Sequence, residues 1–385
     1  MYKRQVSKDL SGLLNYDLKK AHSIKRCTKC LLPHTFPFIS FDSNGVCVIC
    51  NNYIKKNQGK KEQDLQNLVN KYKNSKSVPD CLIAFSGGRD SSYGMHYIVK
   101  ELGLKPITYT YDWGMVTDLA RRNIARICGK LGVENILVSA DLKMKRNNIR
   151  LNVAAWLKRP ELGMIPLFMA GDKHFFQFMN KIKSETGLHL NIWSMNRLEN
   201  TDFKSGFCGI KHNFDKKRID YLSLGSQATM LTYYFKNFLL NPGYLNSSIP
   251  DTISSYYSYY AEPRNDYVEL FDYIAWDEKT IEDTIINEYN WETSPDTMST
   301  WRIGDGTAAF YNYIYLTVAG FTENDTFRSN QIREGMITRE EGLRLALRDN
   351  SPRYDSIKWY FDTIGIDMES AIKTINNIPK LYQPE

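Results

Sequence analysis

Residues 81–92 read Cys81-Leu82-Ile83-Ala84-Phe85-Ser86-Gly87-Gly88-Arg89-Asp90-Ser91-Ser92, and the reading of this stretch decides the fold. Cys81 to Phe85 is a short, unbroken apolar run of the length and side-chain type of a fully buried strand. The run breaks at Ser86-Gly87-Gly88 and resumes as a helix-compatible segment, Ser91 to Leu102, closed by Gly103 and Pro106. Two glycines at a strand-to-helix turn let the backbone take positive φ and come close to a ligand. The turn amides and the N-terminus of the new helix then point at one spot, which suits a phosphate. Ser86, Ser91 and Ser92 add hydroxyl donors. Asp90 is placed to hold a Mg²⁺ that accompanies a nucleotide triphosphate.

The loop is not a Walker A sequence, because no Gly-Lys-Ser/Thr follows, and it is not a Gly-x-Gly-x-x-Gly fingerprint. It resembles the Ser-Gly-Gly-x-Asp-Ser pyrophosphate loop of the PP-loop ATPases, which cleave ATP between the α and β phosphates and adenylate a substrate. The resemblance implies that Ala84, Phe85, Ser86, Gly87, Gly88, Arg89, Asp90, Ser91 and Ser92 line the ATP, with Ser86, Asp90 and Ser91 at the chemistry. The plainer alternative is an ordinary glycine-rich βα turn.

Working outward, strands are expected at 106–111 and 135–139, with a helix at 117–131 ending at Gly132. Strands alternating with helices of this length indicate an α/β, doubly wound parallel sheet. Ligands of such sheets bind beyond the carboxyl ends of the strands. That expectation puts Tyr111 and Asp112 against adenosine, while Trp113 fits core equally well. Residues 142–160 read as a helix, and the apolar segment 163–170 runs into Gly171-Asp172. Gly171 joins the expected nucleotide site, and Asp172 is a second acid that could share the metal with Asp90. A further strand is expected over 188–193. In the loop 205–212, Cys208 is either a reactive or a buried thiol, and His212 has no partner visible in the sequence.

Upstream, residues 1–24 read as a polar arm or a helix packed on the body. Cys27-Thr28-Lys29-Cys30 and Cys47-Val48-Ile49-Cys50 then form two Cys-x-x-Cys pairs, the pattern of a closed tetrahedral Cys₄ zinc site. With four sulfurs and no open position, the expected Zn²⁺ is structural and holds a module too small for its own core. A redox dithiol is the alternative. Residues 55–78 suggest a lysine-rich connector helix.

Downstream of about 217 the chain turns mainly helical and aromatic, with one more strand near 268–275. Trp301-Arg302-Ile303-Gly304-Asp305-Gly306-Thr307 stands at the mouth of an apolar helix over 308–319, whose start could receive an anion. Arg328, Gln331 and Arg333 follow in a polar stretch. They either bind the phosphate or carboxylate of a substrate, or form surface salt bridges with Glu334, Glu340 and Glu341. Two closing helices are expected near 338–348 and 352–363.

At 42% hydrophobic content, 385 residues can bury a large core and suggest two or three domains. Three parts are expected: 1–78 with the arm, zinc module and connector; 79–215, the nucleotide-binding α/β domain; and 216–385, a mainly helical region for substrate or partners. Seven cysteines, four of them clustered, argue against a secreted disulfide framework. No apolar run approaches the ~18 residues of a membrane span, and residues 1–10 are polar, so a cytoplasmic protein without membrane partners is expected. The net charge of +7 is spread along the chain, which makes a nucleic-acid partner unlikely by charge pattern.

Taken together, the four cysteines, the Ser86–Ser91 loop, and the stretches Trp301–Thr307 and Phe327–Gly335 resemble the bacterial N-acetyl sugar amidotransferases of surface-polysaccharide and O-antigen synthesis. That family is a branch of the PP-loop superfamily. The resemblance implies that ATP, with Mg²⁺, adenylates an acetamido oxygen of a nucleotide-activated sugar. Ammonia then displaces AMP and leaves an acetamidino group. It implies substrate contacts from Arg302, Asp305, Gly306, Thr307, Arg328, Gln331 and Arg333, and ammonia from a separate glutaminase and cyclase-like pair, since the chain has no visible glutaminase. PP-loop enzymes that thiolate tRNA or form lysidine also carry Cys-x-x-Cys zinc elements. Against that rival, Cys81, Cys128 and Cys208 make no obvious sulfur-carrying set. A non-catalytic nucleotide binder is the other rival.

Overall fold

Cys81–Ala84 forms a strand because its neighbours cover both sides: Ile83 lies opposite Thr108 on one flank and Ile192 on the other. In a computed structural model describing residues 10–14, 20, 23–59, 62–73, 79–169, 171–199, 202–214, 222–264 and 266–383, this strand, β1, is the middle of a five-stranded sheet. β2 (Pro106–Asp112), β3 (Glu134–Ser139), β4 (Asn191–Trp193) and β5 (Tyr267–Glu269) complete it in the order β3-β2-β1-β4-β5, every pairing parallel. The chain builds outward from β1 to β3 and then returns to the opposite flank of β1. The topological switch point therefore lies between β1 and β4, where loops diverge and leave a crevice.

Helices cover both faces. α1 (Glu62–Val69), α2 (Arg89–His96), α3 (Asp118–Leu131), α4 (Leu142–Lys158) and α5 (Phe175–Thr186) precede β4. The later helices are α6 (Leu224–Leu240), α7 (Ile249–Tyr260), α8 (Glu278–Tyr289), α9 (Ala308–Ala319), α10 (Glu323–Glu334), α11 (Arg339–Asp349), α12 (Tyr354–Ile364) and α13 (Met368–Asn376). One sheet face packs Ile83, Phe85, Met95 and Ile127 against Ile281, Trp291 and Phe327. The other packs Tyr109, Tyr111 and Trp193 on Phe176, Met179 and Ile182 of α5. A third core lies beside the sheet. There the cysteines at 27, 30, 47 and 50 share one apolar cluster with Trp156, Phe310, Phe361 and Ile372. Segments from all three expected parts of the chain meet in that cluster.

Two helices depart from ordinary amphipathic patterning. α9 is buried at every position except Asn312, as an apolar helix must be when it is enclosed all round. α10 follows it and is polar, yet ten of its twelve residues are buried. Its polar side chains are matched one by one: Asp325 by Arg26, Ser329 by Leu31 N–H, Asn330 by Leu198 C=O, and Glu334 by Tyr53 Oη. The stretch around Arg328 is thus interior, not a surface salt-bridge array. Of the expected connector helix over 55–78, Glu62–Val69 is helical among the described residues, and residues 60, 61 and 74–78 lie outside them.

Candidate active site

The turn after β1 is held from below and from the side. Phe85 N–H donates to Tyr109 C=O at 2.8 Å, and Phe85 C=O accepts from Thr110 Oγ1 at 2.6 Å. Ala84 and Phe85 thereby form the floor. Trp291 Nε1 donates to the Gly87 carbonyl at 3.0 Å. Gly87 sits at φ +71°, and a Cβ there would lie 2.7 Å from both the Ala120 carbonyl oxygen and Ile124 Cγ1, so only glycine fits. Above the floor, Ser86 is exposed and its Oγ meets Ser91 Oγ at 3.0 Å, while Gly88 N–H donates to Ser86 Oγ at 3.3 Å. α2 begins with no side-chain cap, so its first N–H groups are left facing the turn. An uncapped helix start, two glycines and two hydroxyls make a fitting cradle for phosphate at the switch point. Ser92, by contrast, is fully buried in α2 and out of a ligand's reach.

Arg89 takes a different part from the one the sequence suggests. The Arg89 side chain turns inward and is buried. It donates to Asp90 (3.0 Å), Glu278 (3.0 Å) and Glu199 (3.3 Å), and lies over the ring of Trp276. Asp90 Oδ1 also accepts from Trp276 Nε1 at 2.9 Å. Burial opposes the charge on Asp90, but Arg89 outweighs it and holds the carboxyl below its usual range. Burial, together with the Asp90 charge, pushes Glu199 up to about 8, so Glu199 keeps its proton near neutrality. The carboxylate expected to bind Mg²⁺ is therefore already held by a guanidinium and an indole. Both short contacts fall on Asp90 Oδ1; Oδ2, with Arg89 Nη2 only at 3.5 Å, and the adjacent Glu199 carboxyl are the groups that would hold a Mg²⁺ there.

At the end of β2, Asp112 closes its own turn: Oδ1 accepts from Gly114 N–H at 2.9 Å and Oδ2 from Arg121 Nη2 at 2.7 Å. Tyr111 stacks on Phe178 under α5, in the core of the opposite sheet face and not beside a nucleotide. Asp172 pairs with Lys173 at 3.0 Å, a different set of partners from those of Asp90. Gly171, at φ +86°, backs onto a buried Lys145–Asp251 ion pair that a Cβ would strike. His174 closes this cluster. Its Nδ1 lies 3.2 Å from Lys145 Nζ and its Nε2 lies 2.9 Å from Ser254 Oγ.

The 302–307 stretch does reach the loop. Gly306 N–H donates to Met115 C=O at 2.9 Å and Thr117 N–H to Gly304 C=O at 3.1 Å, which lays this stretch along the exit from β2. Cβ atoms built on Gly304 and on Gly87 would both press on Ala120, so the two glycine turns are one residue's width apart. Asp305 Oδ1 accepts from Thr307 Oγ1 and N–H, which fixes the turn. Arg302 stands at φ +52°, outside the comfortable region for a side-chain-bearing residue. Together with Lys204 it faces the fully buried Glu323, at 3.3 and 2.6 Å. Burial pulls the Lys204 ammonium below its usual value, although Glu323 favours the charge. Arg328 and Gln331 instead bind Glu278 in the interior, and Arg333 belongs to the cysteines. Those three leave the expected substrate set.

The four thiols converge. Their sulfurs lie within 4.8 Å of one another, with Cys27–Cys50 at 3.9 Å and Cys30–Cys47 at 3.8 Å. Tetrahedral Zn–S bonds of ~2.3 Å place sulfurs about 3.8 Å apart, so this set fits Zn²⁺. Backbone N–H groups of Cys30 and Cys47 donate to Cys27 Sγ. Arg333 donates to Cys30 Sγ at 3.1 Å and to Cys50 Sγ at 3.3 Å, setting one positive charge against the thiolates. Cys208 is buried against the Gly163 carbonyl, and burial pushes its thiol up to about 12, which makes it inert. His212 Nε2 sits 2.9 Å from the Pro37 carbonyl.

Glu199, Trp276, Glu278 and Lys204 are the site residues that sequence reasoning missed. Each comes from a distant segment with no motif of its own, although Lys204 adjoins the glycine-punctuated loop at 205–209. Fold and loop together define an α/β protein with an anion cradle at the switch point of a parallel sheet. No family model matches the chain, and no curated protein does. Among solved structures, the NH3-dependent NAD synthetase from Campylobacter jejuni subsp. jejuni NCTC 11168, in complex with the nitrate ion, aligns with 51% of this chain and 94% of its own. Sequence identity is 16% and the TM-score 0.25, too slight a likeness to say anything of activity. Among the described residues, no helix is long and apolar enough to cross a membrane.

Proposed function

We propose that this protein is an ATP-dependent, AMP-forming amidotransferase that converts an acetamido group of a nucleotide-activated sugar to an acetamidino group in the cytoplasm. The observation that carries the reading is the approach of two glycine turns, 86–88 and 304–306, over Ala120. One is an anion cradle suited to pyrophosphate, and the other follows Arg302, which lies in the field of Glu199, the partner of Arg89 beside the cradle. The amide oxygen attacks the α-phosphorus of ATP and pyrophosphate leaves. Ammonia then adds to the activated carbon and gives up a proton, the C–O bond breaks, and AMP departs carrying the former amide oxygen. An amide oxygen is a poor leaving group and its adenylate a good one, so no side chain need act as nucleophile. The uncapped start of α2, with Ser86 and Ser91, stabilises charge on the departing pyrophosphate. Arg302 and Lys204, which face Glu323 and lie in the field of Asp305, are the cations this reading assigns to an anionic sugar nucleotide. The ammonia comes from a separate glutaminase and cyclase-like pair.

The test is high-resolution mass spectrometry of a UDP-linked diacetamido uronic acid incubated with protein, Mg-ATP and ammonium salt. Replacement of one amide oxygen by NH, with AMP appearing in step, is the expected result. Ser86→Ala should lower that rate roughly ten- to a hundredfold without moving the melting temperature, because Ser86 is exposed. No AMP from this sugar or a CMP-nonulosonate, but AMP formed on adding tRNA, would transfer the protein to the tRNA-modifying class.

A further inference from the structure

α6 carries an apolar stripe that no described residue covers. Leu224, Ala228, Leu231, Phe235 and Leu239 recur at four- and three-residue steps, and all are exposed. Leu224 is 84% exposed, Phe235 65% and Leu239 64%. α7 lies alongside, joined through Tyr256 Oη and Gln227 Oε1 at 2.6 Å, and adds exposed Ile253 and Tyr257. The stripe and these two residues of α7 together expose on the order of 800 Å², more than the ~300–600 Å² patch of a typical monomer.

We infer that α6 pairs with α6 of a second copy of this chain, antiparallel across a two-fold axis near Leu231. Three observations select that occupant. The stripe is a narrow seam with steps of four, three, four and four residues, which keeps its side chains on one face of the helix. With the exposed Ile253 and Tyr257 of α7, its area is comparable to the ~800 Å² per partner of a stable interface. The exposed residues of α6 include one charge, Lys236, so a copy of the same face meets it without like-charge conflict. A helix lying on a membrane surface would instead show a polar face rich in Lys and Arg. The pairing does not depend on the proposed reaction.

Sedimentation velocity of the full chain over a wide concentration range tests it, with a dimer expected. Leu231→Glu/Phe235→Glu should weaken dimerisation roughly a hundredfold or more, because each dimer would bury unpaired charges. Its melting curve should stay close to that of the parent monomer, since both side chains are exposed. All seven native cysteines are buried, so an introduced thiol can be read cleanly. Under a thiol oxidant, Leu231→Cys should crosslink to its mate, and Leu224→Cys, which faces the partner's Leu239, should not. A monomer at every concentration overturns the inference. So does a dimer that the glutamate pair leaves intact, a faster crosslink from position 224, or association with a different protein only.

Discussion

Arg89 stands between the glycines and Asp90, yet it serves the interior. Its guanidinium meets three carboxyl groups and the Trp276 ring with its side chain 2% exposed. Arg89→Met keeps the bulk but leaves Asp90 without its cation and Glu278 with Arg328 alone, and should destabilise the fold by about 3–5 kcal/mol, read by denaturant unfolding. Arg89→Lys should recover little of this, because an ammonium cannot fork to several acceptors. His174 supplies a pH dependence. Burial holds its imidazolium below the ordinary histidine range, and the adjacent Lys145 adds to the effect. The unfolded chain therefore binds the proton more readily than the folded one. The contribution to stability is complete above about pH 6.5, the unfolded value, and is lost as pH falls below it. Melting temperature followed downward from neutral pH should drop less steeply in His174→Gln than in the parent.

At the scale of elements, α10 is the part whose polarity misleads. Its side chains reach the Cys₄ module, the Arg89 network and the Lys204–Arg302 pair. From one helix, Arg333 touches the cysteines, Arg328 shares Glu278 with Arg89, and Glu323 meets Lys204. Arg333→Leu should weaken zinc retention roughly ten- to a hundredfold in chelator competition, as loss of an outer partner of metal ligands does. An unchanged zinc affinity would show that the contact only packs the helix.

For the whole molecule, the question is whether the Cys₄ module melts alone. Its cysteines share one apolar cluster with α4, α9, α12 and α13, so no boundary of low packing separates it from the rest. Removal of zinc by a chelator should lower the midpoint of a single calorimetric transition, with calorimetric and van't Hoff enthalpies in agreement. An early, separate transition would identify the module as an independent folding unit.

Much of this was legible in the chain because its causes are local. The run 81–85, the glycine pair and the regular spacing of strand and helix signals determine a parallel α/β sheet and its phosphate-cradling turn. The paired Cys-x-x-Cys spacing determines a convergent thiol site. The apolar run after Thr307 placed α9 at its observed bounds, although Thr307 Oγ1 bonds Asp305 and makes no side-chain cap. What stayed hidden depends on contacts between segments hundreds of residues apart. Nothing near Arg89 announces that Glu278 and Trp276 will meet it, and nothing near Arg333 announces the cysteines. A charged side chain is read as exposed until its partner is known, since burying it alone is prohibitive and burying it matched is not. Sequence therefore determined where the backbone turns and which ligand chemistry the turns suit. Only the tertiary structure decided which of the charged residues face the crevice and which are locked inside.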